Sequence, residues 1–258
     1  MNAFVLKVIA LVAMLFDHVG AVFPNHVPFE FRLIGRLTFP IFVFLLAEGF
    51  HHTKNAKKFL LRLFAFAIIS EFPYDWAINR ASNIRAGLSV WHVDFLNGTN
   101  IFYTLFLGGL AIYIFQHVFT VISKRNDEDK EAAYLTTALI TAGPVLGLMW
   151  VADFLGAEYG GYGVIFILLM YVIKPKWPKI AVFTIMNVLQ HRDLIQRIWQ
   201  GHRFDTVFYW IIPATLLTVP LIAWYNGKRG LSFKWLFYAA YPVHLAILAG
   251  IAWFVFRV

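Results

Sequence analysis

Residues 6–22, LKVIALVAMLFDHVGAV, decide the fold. Apart from Lys7, Asp17 and His18 the segment is hydrocarbon and glycine. With its flanks it reaches the roughly 20 residues that a helix needs to cross a bilayer. Eleven residues at about 100° each end ~20° beyond three full turns. A helix therefore sets Lys7 and His18 on one face, roughly 16 Å apart along the axis. Ionisable groups at such depth are costly, so His18 reads either as a general base or acyl-carrying nucleophile or as a neutral imidazole hydrogen-bonded to a neighbouring helix. Asp17 points about 100° away from His18, so adjacency does not make it the partner of the imidazole. An orienting carboxylate for His18 is expected from another helix, and Asp17 is expected to pair with Arg36 or a similar arginine.

The rest of the chain repeats the pattern of this segment. Mean hydropathy is +0.67, and 60% of residues are hydrophobic against 14% charged. The runs are continuously apolar, unlike the short alternating strands of a membrane β-barrel. The sequence predicts an all-α polytopic membrane bundle forming one domain over 1–258, with about nine to ten transmembrane helices. The expected spans are 3–23, 36–52, 58–79, 99–122, 132–152, 160–174, 178–190, 205–225 and 234–256. A shallow amphipathic stretch near Phe29–Ile34 and an interfacial helix near Leu194–Trp199 accompany them. The first segment lacks a small-x-small cleavage site and is not read as a signal peptide. No cysteine is present, which removes thiolate nucleophiles and cysteine metal sites. Histidine and carboxylate spacings suggest no metal site either. The formal charge of +8 reads as topology and lipid headgroup contact, without nucleic-acid binding.

Loop charges orient the chain. With the amino terminus in the cytoplasm, loops 51–58, 123–131, 174–179 and 226–234 lie inside, and every lysine falls on that side. Among the arginines only Arg62, Arg125 and Arg229 join them. Arg32, Arg36, Arg80, Arg85, Arg192, Arg197, Arg203 and Arg257 fall outside, where pairing with buried carboxylates or an anionic group would explain them.

Further polar residues stand out against this apolar background. In ISEFPYDW, Glu71 and Asp75 are i and i+4 on one face, and Pro73 removes a backbone bond to Ile69. They offer either a site beside His18 or partners for Arg32, Arg36 or Arg80. Glu48, at the opposite end of its span, is expected to pair with Lys7. His51, His52, Lys54, Lys57, Lys58 and Arg62 form a basic cluster that either anchors topology or grips phosphates. Tyr241-Pro242-Val243-His244 puts polar groups near the middle of the last span. Asn97, Thr99 and Asn100 are positioned to cap the fourth span.

Through these residues the chain resembles the TraX family, named for the membrane protein that acetylates the amino terminus of conjugative pilin. The resemblance runs through the opening segment, FRLIGRLTFPIFVFLLAEGFHHTKNAKKFLLRLFAFAIISEFPYD (31–75), NIFYTLFLGGL (100–110), YGGYGVIFILL (159–169) and YNGKRG…FYAAYPVHLAIL (225–248). The family is similar in turn to transmembrane acyltransferases whose first helix carries a basic residue, ten residues, then a catalytic histidine. Lys7-x10-His18 fits that spacing. The resemblance implies an acyl-CoA-dependent acetyltransferase of the bacterial inner membrane, with acetyl-CoA as donor. The implied acceptor is a peptide amine, with a glycan or lipid hydroxyl as alternative. Catalytic candidates are then His18, Asp17, Glu71, Asp75, Tyr241 and His244. Donor-binding candidates are Lys7, Arg36, Lys54, Lys57, Lys58 and Arg62. A proton-coupled transporter also uses buried Asp, Glu and His, but no internal repeat is evident. A non-catalytic assembly factor is the third class.

Overall fold

The computed structural model describes residues 1–124, 130–204, 206–231 and 233–256. Arg125 and Arg257, counted above for topology, lie outside them. Helices make up 77% of the structure, and no strand occurs among the described residues. In chain order they are α1 (Ala3–Val22), α2 (Glu30–Gly35), α3 (Thr38–His52), α4 (Ala56–Ala77), α5 (Arg80–Arg85), α6 (Ile101–Ser123) and α7 (Lys130–Phe154). There follow α8 (Gly160–Val172), α9 (Lys176–Leu189), α10 (Arg192–Trp199), a 3₁₀ turn (Thr206–Trp210), α11 (Ile211–Leu216), α12 (Thr218–Ala223) and α13 (Lys234–Phe256).

Every expected span contains helix, but the expected count of nine to ten is not confirmed. Six stretches among the described residues are long and apolar enough to cross a membrane: Ala3–Val22, Glu30–His52, Ile101–Ser123, Lys130–Phe154, Thr206–Ala223 and Trp235–Val255. The physical reasons for the three that drop out differ. Helix α4 carries Lys57, Lys58, Arg62, Glu71 and Asp75 along its length. Helices α8 and α9 have 13 and 14 residues, about 20 Å of rise against a hydrocarbon thickness of about 30 Å. The interfacial helix near Leu194–Trp199 is present as α10, with none of its residues buried.

The chain divides into two compact units. The first comprises 1–45, 69–93 and 173–258. Here Asn2 caps α1 by accepting from the Val5 amide at 3.0 Å. Buried positions 3, 6, 10, 13, 14 and 18 follow at three- and four-residue spacing. Val5, Val8, Val12 and Leu15 occupy the opposite, exposed face, as a helix bathed in lipid requires. Helix α1 packs on α2 and α13. Gly35 permits the α2 contact, because a Cβ there would collide with the Asp17 carboxylate. The amino terminus is tied to the loop before α13: the Met1 ammonium donates to the Trp224 carbonyl at 2.8 Å, and Ala3 N–H donates to Lys228 O at 2.9 Å.

The second unit comprises 46–68 and 94–172, with α6 packed on α7 and α8. Asn100 caps α6 through the Phe102 amide at 3.0 Å, while its own Nδ2 donates to Ala67 O at 2.8 Å. Gly108 brings α6 against Ile167 of α8, the close backbone approach on which helix association in lipid depends. Thr137 and Thr141 satisfy their hydroxyls on carbonyls one turn back, Ala133 and Thr137.

Candidate functional site

The first unit contains a histidine pair built from its two end helices. The run of small and apolar residues in α1 places His18 on the buried face, where it is 6% exposed. In α13, Tyr241 and His244 are three residues apart and share a face. Phe4 and Lys7 of α1 meet Phe237 of α13, and His18 meets His244 further along both helices. The two helices therefore run in the same direction.

His18 Nδ1 lies 2.5 Å from His244 Nε2, with ring planes 3° apart and centroids 4.8 Å apart. Stacked rings cannot bring any atom pair that close, since faces touch at about 3.5 Å. The imidazoles are therefore coplanar and joined edge to edge. His244 Nδ1 is 2.6 Å from the Ala240 carbonyl oxygen, which only accepts, so this nitrogen carries the hydrogen. When both rings are neutral, His244 Nε2 is bare and accepts from His18 Nδ1–H. That leaves the lone pair on His18 Nε2, which makes no hydrogen bond among the described residues. The chain of bonds thus fixes the tautomer and points the basic nitrogen away from its support. Tyr241 lies edge-on to both rings, with centroids 5.6 Å and 5.7 Å away.

Asp17 turns to the other side of α1, where two arginines of the α2 region hold it. Arg32 Nη1 is 3.0 Å and Arg36 Nη2 3.1 Å from Asp17 Oδ1. Arg32 also donates to the Asp17 carbonyl at 3.0 Å, and Arg36 Nε donates to Arg32 O at 3.0 Å. Asp17 pairs as its position on the helix requires, and it fastens α2 beside the histidine pair. The Arg32 guanidinium is close enough for its charge to bear on His18.

The sequence match covers residues 3–252 and corresponds to the family described as TraX protein. The chain belongs to the TraX family. A relative is the "probable fimbrial assembly protein FimC, serogroup H1" of Dichelobacter nodosus, 33% identical over 96% of this chain and 94% of its own length. No solved structure matches.

The TraX match takes in every candidate residue from Lys7 to His244. Glu71 and Asp75 are buried in α4, and Asp75 Oδ1 accepts from Asn79 Nδ2 at 2.6 Å. Neither hydrogen-bonds to His18, whose orienting group is an imidazole rather than the expected carboxylate. Lys7 and Glu48 also have other contacts than the pair expected of them. The Lys7 ammonium sits 5.1 Å from the Phe237 ring centroid, and Glu48 Oε2 lies 3.9 Å from His52 Nε2 at i+4. Lys54, Lys57 and Lys58 are exposed, on either side of Asn55, which caps α4 through the Lys58 amide at 2.9 Å. Arg62 places its guanidinium 6.0 Å from the Phe59 ring centroid.

Two features escaped sequence reasoning. Asn79 sits at i+4 from Asp75, a spacing that does carry a signal. His191, outside the spans, shares a 2.8 Å bond with Thr215, whose hydroxyl already donates to Ile211 O. His191 Nε2 therefore carries the hydrogen. Burial and the nearby Arg36 charge lower its pKa to about 4.

Proposed function

We propose that this protein is an acetyltransferase embedded in the bacterial inner membrane. It moves acetyl from cytosolic acetyl-CoA to the amino terminus of a pilin or another exported peptide. The observation that carries the reading is the edge-to-edge His18–His244 pair, in which His18 is buried and His244 half-buried, with a lone pair left on His18 Nε2. The TraX membership and the fimbrial assembly relative support a pilin-related acceptor.

A peptide amino terminus is largely protonated below its pKa of about 8, so a base must expose the nucleophile. His18 Nε2 removes that proton, and the amine attacks the thioester carbonyl carbon. Collapse breaks the C–S bond, the proton held on His18 passes to the departing thiolate, and the attacking nitrogen sheds its second proton to water, leaving the neutral amide, the free thiol and one proton released. His244 holds the His18 ring in the one tautomer and orientation that serve this exchange. Lys54, Lys57 and Lys58, exposed and without ion pairs among the described residues, suit the phosphates of the donor, with Arg62 behind them. Buried Glu71 and Asp75 suit recognition of the ammonium.

The test is acetyl transfer by purified protein in nanodiscs, with peptide, glycan and lipid acceptors read by mass spectrometry. Acetylation of the peptide α-amine is expected, and His18→Ala should lower it by about 10²- to 10⁴-fold. Transfer by His18→Ala at the wild-type rate would remove the histidine from the chemistry. Transfer only to the glycan or lipid would replace the acceptor. No transfer to any acceptor, with pilus assembly still dependent on the protein, would favour the assembly role that the relative's name suggests.

A further inference from the structure

A depression of about 300 Å³ opens at the far end of α1. Gly20 and Ala21 of α1, Pro24, Val27 and Phe29 of the following turn, and Arg32 of α2 form its wall. Its size lies at the lower end of small-molecule sites, enough for a side chain and its backbone but not for a nucleotide. Hydrocarbon dominates the lining. The one ionised group in it, Arg32, shares the Asp17 carboxylate with Arg36, and its Nε and Nη2 make no hydrogen bond among the described residues.

Neither histidine lines the depression, and two spacings set it near His18. Ala21 stands three residues beyond His18, one turn or about 4.5 Å along the same side of α1. Arg32 is bonded to the carbonyl of Asp17, the residue before His18. An amine on His18 Nε2 would carry its own side chain about one helical turn away, the spacing between His18 and Ala21. Arg32 would then meet the carbonyl of the same residue, with two free donors facing an acceptor.

We propose that this depression is the subsite for the acceptor's first residue, and that it selects peptides beginning with an apolar side chain. The proposal rests on the acetyl-transfer reading above. Arg32 receives the backbone carbonyl, and the proline-bounded turn encloses the side chain. A first-residue lysine is repelled by Arg32, whose charge Asp17 offsets only in part because it also pairs with Arg36. A first-residue aspartate would have to give up its hydration against a mostly apolar wall, which costs more than the half-offset Arg32 charge returns.

The experiment uses the full-length protein in nanodiscs and peptides identical except for a first residue of Gly, Val, Phe, Asp or Lys. Both kcat/KM for acetylation and equilibrium binding of the dye-labelled peptides are measured, for wild type, Ala21→Phe and Val27→Trp. Val and Phe should exceed Gly, Asp and Lys by about 10-fold or more in both measurements. Each filling variant should reverse the order of Phe and Gly. Transfer to all five peptides at similar rates, unaltered in ranking by either variant, would overturn the subsite and leave acetyl transfer standing. Apolar-first binding that the variants abolish, without transfer to any peptide, would keep the subsite and overturn acetyl transfer. Absence of both would overturn both.

Discussion

His244 accepts from one group and donates to another, so replacing it separates positioning from simple packing. His244→Leu strands the His18 Nδ1 hydrogen in hydrocarbon, where an unmet donor costs about 1–3 kcal/mol. If the ring turns or changes tautomer to escape that cost, the catalytic rate should fall about 10- to 100-fold. His244→Gln offers an amide oxygen to His18 and an amide hydrogen to the Ala240 carbonyl, so it should recover a substantial part. The pH–rate profile distinguishes this from a structural loss. Its acid limb should move in His244→Leu, because His18 then titrates without its partner, while the KM for acetyl-CoA stays near wild type. Equal damage by both variants with an unmoved profile would make His244 a packing residue only. The sequence shows that an imidazole inside an apolar helix needs support. It does not show which helix supplies it, since the partner is 226 residues away and helical periodicity speaks only within one element.

At the level of elements, legibility followed hydrocarbon content. The bounds of α1, α6 and α13 lie within two or three residues of the runs read from the sequence, because a long apolar run has one economical conformation in lipid. The run 205–225 reads as one span but contains Pro213 and Pro220, and it divides into a 3₁₀ turn and two six-residue helices. Close packing between helices is less visible in sequence, and glycines reveal it only in three dimensions. A Cβ on Gly108 would lie 2.5 Å from Ile167 Cδ1 and 3.0 Å from its Cβ, whereas one on Gly143 or Gly147 meets nothing within 4 Å. Gly108→Ala should therefore lose about 1–3 kcal/mol through overpacking, seen as a lower Tm in detergent. Ile167→Val in the same chain should restore part of it. Gly143→Ala should leave Tm unchanged or slightly raised, since alanine is the better helix former by up to about 1 kcal/mol. A Tm for Gly108→Ala equal to that of Gly143→Ala would mean that α6 and α8 are not in close contact.

For the whole molecule, the decisive variable is which side of the membrane each end of α1 faces. The lysine bias predicts a cytoplasmic amino terminus and loop 226–234. The structure joins these two segments through the Met1–Trp224 and Ala3–Lys228 hydrogen bonds, so one measurement locates both. The same unit includes α10, whose Trp199 is 91% exposed and is flanked in sequence by Arg192, Arg197 and Arg203. Aromatic and basic side chains of this kind sit at headgroup level. Because the chain has no cysteine, a single introduced thiol reports without background. In right-side-out spheroplasts, Trp199→Cys should react with a membrane-impermeant maleimide. Lys228→Cys should react only after the membrane is opened. With that result, His18 lies about 16 Å beyond Lys7 toward the outer face, where an exported amino terminus arrives. The reverse labelling would place the amino terminus outside and bring His18 toward the cytoplasm. The histidine pair would then stand on the side from which the donor comes, and the acceptor would have to reach it through the membrane.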